Sequence, residues 1–252
     1  MIIEYNRPET ISAALALLAR TNPTTVPMGG GTRLSRYSHL DLAVVDLQRL
    51  GLDGLALGKN ALQVGAAVTL QTLAEAPSLP EALRCSAYLE AGLNVRNTAT
   101  VAGAIVAGDG RSPLLTVLLA MDARLTWQPQ NETVGLGDWL ALRPNRQKNY
   151  LLTEIQLPAN VEVSMETVAR TPVDTPIVCV AVCRWQNSNR VRIVVGGFGD
   201  TPTLASDGQD DTASASLSVK NACSQSDDAW ASAAYRRAAA AVLVNRIMKR
   251  EN

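Results

Sequence analysis

Histidine is almost missing from the 252 residues: there is one, His39, in a Ser-rich stretch (35–39) with no nucleophile motif beside it. That excludes a His-rich metal centre and leaves any His-based catalytic triad to a single residue. The four cysteines, Cys85, Cys179, Cys183 and Cys223, form no C-x-x-C pair, so zinc-ribbon and plant-type iron-sulfur spacings are absent and the chain is expected to bind no metal itself. Charge of one sign is also lacking. With 23 Lys+Arg against 23 Asp+Glu and no basic stripe, bulk electrostatics do not favour nucleic acid or an anionic membrane. No apolar run reaches 18 residues and the first seven residues carry no signal-peptide core, so the expectation is a cytoplasmic chain with reduced thiols and no transmembrane segment.

What is present is an ordinary apolar content of 47%, enough for one large domain or two smaller ones, each with a core. The start reads as a small α/β unit: a strand at 2–5, a helix at 8–20 with Ile11, Leu15 and Leu18 on one face, and short strands at 25–28 and 42–47. Residues 55–158 mix a strand at 62–64, a helix capped by Thr69, a helix at 81–91, a helix opened by Ser112-Pro113, and strands at 124–127 and 151–157. Three strand-like runs follow, at 161–170, 177–185 and 191–195. In the second of them Cys179 and Cys183 share a face and read as core packing. The Ser/Asp-rich tract 203–226 reads as loop with at most one weak helix. A last Ala-rich helix, 228–249, sets Val242, Leu243 and Ile247 on one side and offers Arg236, Arg237 and Arg246 to solvent or a partner. Irregular alternation of helix and strand makes the fold class α+β.

Two small-residue segments stand out. Gly29, Gly30 and Gly31 with Thr32 follow the strand at 25–28, where consecutive N–H groups can turn toward one anion, although a triple glycine alone fits a plain loop as well. Asn97-Thr98-Ala99-Thr100-Val101-Ala102-Gly103-Ala104 reads as a compact loop between helices, able to face the same anion from the opposite side or simply to pack tightly. Neither is a Walker or G-x-G-x-x-G motif.

The runs P-M-G-G-G-T-R-L (27–34), V-V-D-L (44–47), V-G-A-A-V-T-L (64–70), V-R-N-T-A-T-V-A-G-A (95–104), L-T-E-I-Q-L-P (152–158), G-G-F-G-D-T-P (196–202) and S-A-A-Y-R-R (232–237) occur in one order along nearly the whole chain. In that order the sequence resembles the FAD-binding medium subunits of molybdenum hydroxylases, the xanthine dehydrogenase and carbon monoxide dehydrogenase group. The resemblance implies a two-subdomain FAD-binding fold of the vanillyl-alcohol-oxidase (PCMH) type over 1–158, with subdomains at about 1–54 and 55–158. A small C-terminal domain of three-stranded antiparallel sheet plus helices would follow over 159–252. It implies a flavin pyrophosphate held by Gly29, Gly30, Gly31, Thr32 and Arg33 and by Thr100, Val101, Ala102, Gly103 and Ala104, largely through main-chain donors. It also implies a molybdopterin-binding large subunit and a 2Fe-2S small subunit as partners, with electrons leaving through FAD to an acceptor; molybdenum and iron-sulfur groups would reside only in those partners.

The chain departs from the family pattern in the second segment. Alanines at Ala104 and Ala107 replace asparagines, Asp109 replaces a serine, Pro113 an aspartate, Ala102 sets a methyl where bare backbone is expected, and Arg33 replaces an aspartate in the first loop. Lost side-chain hydrogen bonds weaken a flavin site while main-chain donors survive, and Arg33 or Arg111 adds charge-assisted contacts. Two functions of different class follow: an electron-transferring FAD subunit, or a homologue kept as a structural or assembly subunit with weak or no flavin. A stand-alone flavin reductase fits less well, because no Ser or Glu proton donor for that chemistry can be singled out.

Overall fold

A computed structural model describes residues 1–34, 41–143, 149–172, 174–209 and 212–250; His39 lies outside these residues. The chain opens with β1 (Ile2–Asn6), α1 (Ile11–Leu18), β2 (Thr25–Met28) and β3 (Leu42–Asp46), and the strands form a parallel sheet in the order β1-β3-β2. Helix α1 starts later than Pro8 because Thr10 caps it, its hydroxyl accepting from Ala13 N at 3.2 Å. Ala14 and Leu18 pack on Val45 and Leu47. The carboxyl ends of β2 and β3 are tied side by side by Leu47 N donating to the Met28 carbonyl at 3.1 Å.

The second region holds β4 (Leu55–Leu57), β5 (Ala61–Gly65), α2 (Leu70–Glu75), α3 (Glu81–Glu90), α4 (Leu93–Arg96), α5 (Val101–Ala107), α6 (Pro113–Ala120), β6 (Arg124–Gln128), β7 (Glu132–Gly135), α7 (Leu136–Leu142) and β8 (Leu151–Pro158). Its five strands pair antiparallel in the order β4-β5-β8-β6-β7. Thr69 and Ser112 cap α2 and α6 as their spacing predicts. Every residue of α6 is buried, consistent with a helix that is apolar all round. It packs against α3 on one side and the next sheet on the other.

That third sheet is antiparallel, in the order β12-β11-β10-β9, built from β9 (Val161–Val168), β10 (Val178–Trp185), β11 (Arg190–Gly196) and β12 (Thr203–Gln209). The three strands read from the sequence are its body, and β12 extends it at one edge. Val178, Val180 and Val182 face α8 (Thr212–Ala222) and α9 (Ala233–Arg250), whereas Ala181 and Cys183 join the core around α6. Burial pushes the Cys179 and Cys183 thiols up to about 12, so both are inert core groups.

Two expectations need correction. The tract 203–226 is not mainly loop: β12 gains order by pairing with β11, and α8 by burying Ala215 and Val219. Arg236 does not face solvent but is wholly buried, while Arg237 and Arg246 are exposed; on the same helix Val242 is half exposed and Leu243 and Ile247 are buried. A charged network joins the end of α6 to this sheet, with Arg190 bridging Asp122 at 2.9 Å and Asp207 at 2.8 Å, and Arg192 pairing with Asp122. Among the described residues no helix is long and apolar enough to cross a membrane.

Candidate functional site

The first glycine loop leaves the carboxyl end of β2, the usual ligand side of a parallel sheet. Asp46, buried beside it in register with Met28, accepts from Tyr5 Oη and from Gln48 N at 2.9 Å and lies 3.4 Å from Arg7 Nε, which fixes that end of the sheet. Gly29, Gly30, Gly31 and Thr32 are half-buried and Arg33 is exposed. Gly31 has φ +67°, a left-handed turn that glycine takes without strain. The N–H groups of 29–33 donate to no acceptor among the described residues. A cluster of unfilled N–H groups in a half-open turn is a fit for an anion such as a diphosphate.

The second segment lies against the first, as its small residues allow. A Cβ on Gly29 would come within 2.4 Å of Thr100 Oγ1, and one on Gly30 within 1.7 Å of the Thr98 carbonyl oxygen. Arg96, nearly buried, shapes the approach: it donates to Gln71 Oε1 at 2.8 Å and to the carbonyls of Tyr88 and Ala91 at 3.0 and 2.7 Å, and stacks 4.0 Å over the Tyr88 ring. What reads as a loop over 97–104 is only half so. Thr100 is the N-cap of α5, its hydroxyl accepting from Gly103 N at 3.1 Å.

Most main-chain donors of this segment are engaged within the protein, Thr100 N having no acceptor among the described residues. Val101 N donates to the Val68 carbonyl at 2.9 Å, Ala102 N to that of Ala66 at 3.2 Å, and Ala104 N to that of Thr100 at 2.9 Å. Ala102 and Val101 belong to the hydrophobic core, so the Ala102 methyl is packed inward rather than set in a ligand's path. Gly103 alone of the five is exposed.

After α5 the chain turns through 108–111 and is gripped by the G-G-F-G run. Gly110 N donates to the Gly199 carbonyl at 3.0 Å and Gly197 N to that of Gly110 at 2.7 Å. Asp109 is exposed and accepts from Arg111 N at 2.9 Å. Arg111 donates to the Thr175 carbonyl at 3.0 Å and stacks 4.2 Å over Trp230, which engages it away from the glycine loops. Arg143 closes the end of α5 by donating to the carbonyls of Gly108 and Ile105 at 2.6 and 2.9 Å. A cavity of about 270 Å³ lies beside this region, lined by Leu89, Thr167, Arg170 and Asp174 among others.

Sequence reasoning missed Glu90 and Arg96. Glu90 accepts from Ser112 Oγ at 2.7 Å and Leu114 N at 3.2 Å, at the start of α6. Burial pushes its carboxyl above the usual range, against those two hydrogen bonds; the charge of Asp109 adds to the rise and that of Arg33 opposes it. A carboxyl that holds its proton more tightly folded than unfolded lowers stability as pH rises from its ordinary value of 4.5 through the folded one. Glu90→Gln keeps an oxygen for Ser112 and Leu114 and removes that penalty. Its Tm relative to the native chain is expected to rise as pH is taken from about 4.5 toward neutrality. A Tm difference that stays constant in melts across this range would show that Glu90 does not titrate there.

Residues 1–160 match the family described as the FAD binding domain in molybdopterin dehydrogenase. The uncharacterized protein YgfM of Escherichia coli K12 is 31% identical over 250 residues, covering 97% of this chain and 94% of that protein. The putative xanthine dehydrogenase FAD-binding subunit XdhB of the same organism is 35% identical over 135 residues, 48% of this chain and 44% of its own length. A chain of carbon monoxide dehydrogenase from Hydrogenophaga pseudoflava shares the fold, with TM-score 0.82 and 22% identity over 98% of this chain and 96% of that one.

Proposed function

The chain belongs to the family of FAD-binding domains of molybdopterin dehydrogenases, and from that premise we propose that it is the FAD-binding, electron-transferring oxidoreductase subunit of a molybdenum hydroxylase-type complex. The observation that carries this reading is the set of N–H groups at 29–33 that have no acceptor among the described residues, placed at the carboxyl end of β2 and backed by the Thr98–Thr100 wall. In this reading Gly29, Gly30, Gly31, Thr32 and Arg33 and, across from them, Thr100, Val101, Ala102, Gly103 and Ala104 form the cofactor site. Residues 1–158 are the FAD-binding domain and 159–252 the C-terminal domain; the distribution of the three sheets along the chain supports that division. The partners are a molybdopterin-binding large subunit and a 2Fe-2S small subunit, and the complex is cytoplasmic.

Bound FAD would supply the redox chemistry, taking electrons from iron-sulfur clusters and passing them to an acceptor. The residues of this chain bind and orient it. The first loop offers donors, Asp46 and Leu47 hold that loop's root, and Arg96 and Thr100 hold the wall against it.

Titration of the purified chain with FAD tests this. Saturable quenching of flavin fluorescence, confirmed by calorimetry, is the expected result. A well-folded chain that takes up no FAD at millimolar concentration would overturn it in favour of a structural or assembly subunit without flavin.

A further inference from the structure

We infer that Glu90 links cofactor binding to proton uptake: its carboxyl takes a proton from solvent when a dinucleotide occupies the first loop and releases it when the loop empties. This rests on the reading of the chain as an FAD binder, and it gives a role to a group that neither glycine segment contains.

The placement of Glu90 carries the inference. It is the last residue of α3, half-buried, and Oε2 is fixed by accepting from Ser112 Oγ at 2.7 Å and from Leu114 N at 3.2 Å. The other oxygen, Oε1, has no hydrogen-bond partner among the described residues, so it is the atom free to carry a proton. Three elements act on the carboxyl. The charge of Arg33 on the first loop favours the ionised form, and that of Asp109 on the turn before α6 opposes it. The Cys179 thiol on β10 also feels Glu90, but burial pushes it up to about 12, so it keeps its own proton. Of the helices and strand packed against α3, α6 has no charged side chain, and Arg96 on α4 is engaged with Gln71 and the carbonyls of Tyr88 and Ala91. Glu75 on α2 and Glu162 and Glu166 on β9 do not contribute to its shift. Arg33 is thus the one cation among the described residues whose charge favours the carboxylate.

The charge state of Glu90 therefore depends on what Arg33 faces. An empty loop leaves the field of the guanidinium to the carboxylate. A diphosphate seated at 29–33 brings negative charge that cancels this field and adds to the repulsion from Asp109, in a setting where solvent screens little. Burial already favours the neutral acid, and the bound anion moves the balance the same way. A proton enters at Oε1 and no bond of the cofactor changes. Linkage fixes the sign: FAD binds more tightly at low pH. Affinity falls as pH rises through the window in which the free chain is ionised and the bound chain protonated, by up to about tenfold per pH unit, the limit for one proton.

Calorimetric FAD titrations of the purified chain from about pH 5 to about pH 9, in pairs of buffers with different ionisation enthalpies, test this. The native chain is expected to take up as much as about one proton per FAD inside the window and to lose affinity at least about fivefold across it. Glu90→Gln keeps an oxygen for Ser112 and Leu114, and should bind FAD with no proton uptake and little dependence on pH. Asp109→Asn keeps an acceptor for Arg111 N and removes the opposing charge. It should move the window to lower pH, a shift that a merely structural Glu90 would not produce and that decides the matter even if Glu90→Gln does not fold. FAD binding without proton uptake in the native chain would overturn the inference, as would equal uptake in Glu90→Gln or an unmoved window in Asp109→Asn. Failure of the native chain to bind FAD at any pH would instead overturn the functional reading on which the inference rests.

Discussion

Arg236→Met is expected to lower the unfolding free energy by about 3–5 kcal/mol, the range for breaking a buried, hydrogen-bonded charge. The side chain is completely buried in α9. Its Nε donates to the Ile177 carbonyl at 3.1 Å, Nη1 to the carbonyls of Ser226 and, at 3.1 Å, Ala231, and Nη2 to both Asp228 oxygens at 2.9 Å and the Gly197 carbonyl at 3.4 Å. Methionine fills much of the volume but supplies no donor, so four carbonyls and a carboxylate lose their partner together. Burial by itself would raise the Asp228 carboxyl; hydrogen bonds from Arg236 and from the N–H groups of Trp230 and Ala231 outweigh it and hold the group low. The fall in Tm should be about 10 °C for a chain of this size. Arg237→Met, one position along and exposed, is the control and should change stability by no more than about 0.5 kcal/mol. Thermal melts of the two variants decide the matter: equal Tm values would mean that the buried guanidinium contributes nothing beyond its bulk.

Arg236 also shows where sequence reading stops. An arginine in an Ala-rich helix has the pattern of a solvated face, and nothing local distinguishes it from Arg237. Its burial is decided by carbonyls from residues 177, 197, 226 and 231, which only the folded chain assembles. Glu90 is hidden in the same way, because its partners Ser112 and Leu114 are twenty-odd residues on. By contrast, the caps at Thr69 and Ser112-Pro113 were legible because the signal and the structure are both local. The shared face of Cys179 and Cys183 followed from strand periodicity alone.

The 97–104 segment falls between these cases. A run of Ala, Thr and Gly has no contrast between apolar and polar faces, so it read as loop, yet Thr100 starts a helix there and Val101, Ala102 and Ile105 fix it in the core. The order of motifs pointed to the family, but it did not show what joins them. Gly110 lies between the carbonyl of Gly199 and the N–H of Gly197, and the arginine of the S-A-A-Y-R-R run holds the Gly197 carbonyl. Two distant runs thus meet to hold one turn behind α5. Likewise, the glycines of the first loop suggested room for a ligand, whereas Gly29 and Gly30 make room for the second segment.

That distinction sets the second large effect. Gly30→Ala is expected to weaken FAD binding by at least about tenfold, because the added methyl would sit 1.7 Å from the Thr98 carbonyl oxygen and 2.8 Å from Ala99 N. Backbone cannot swing aside as a side-chain tip can, so the two segments must separate and carry the 29–33 donors away from their common focus. Overpacking of this kind costs about 1–3 kcal/mol, and the fold should survive it. Among the described residues Gly31→Ala meets only Met28, with Sδ at 3.3 Å, but must hold φ +67°, and so should cost about 1–2 kcal/mol with a smaller loss of affinity. Gly103→Ala is the informative opposite. Among the described residues its methyl would meet Thr100 Oγ1 at 3.1 Å from an exposed helical position, a tight contact with the capping hydroxyl that offsets the helix propensity of up to about 1 kcal/mol that alanine gains there. FAD titrations should rank the losses Gly30→Ala, then Gly31→Ala, with Gly103→Ala nearest the native chain. A loss at Gly103 as large as that at Gly30 would mean that the flavin itself needs bare backbone on α5, and that the contact between the two segments does not set the ranking.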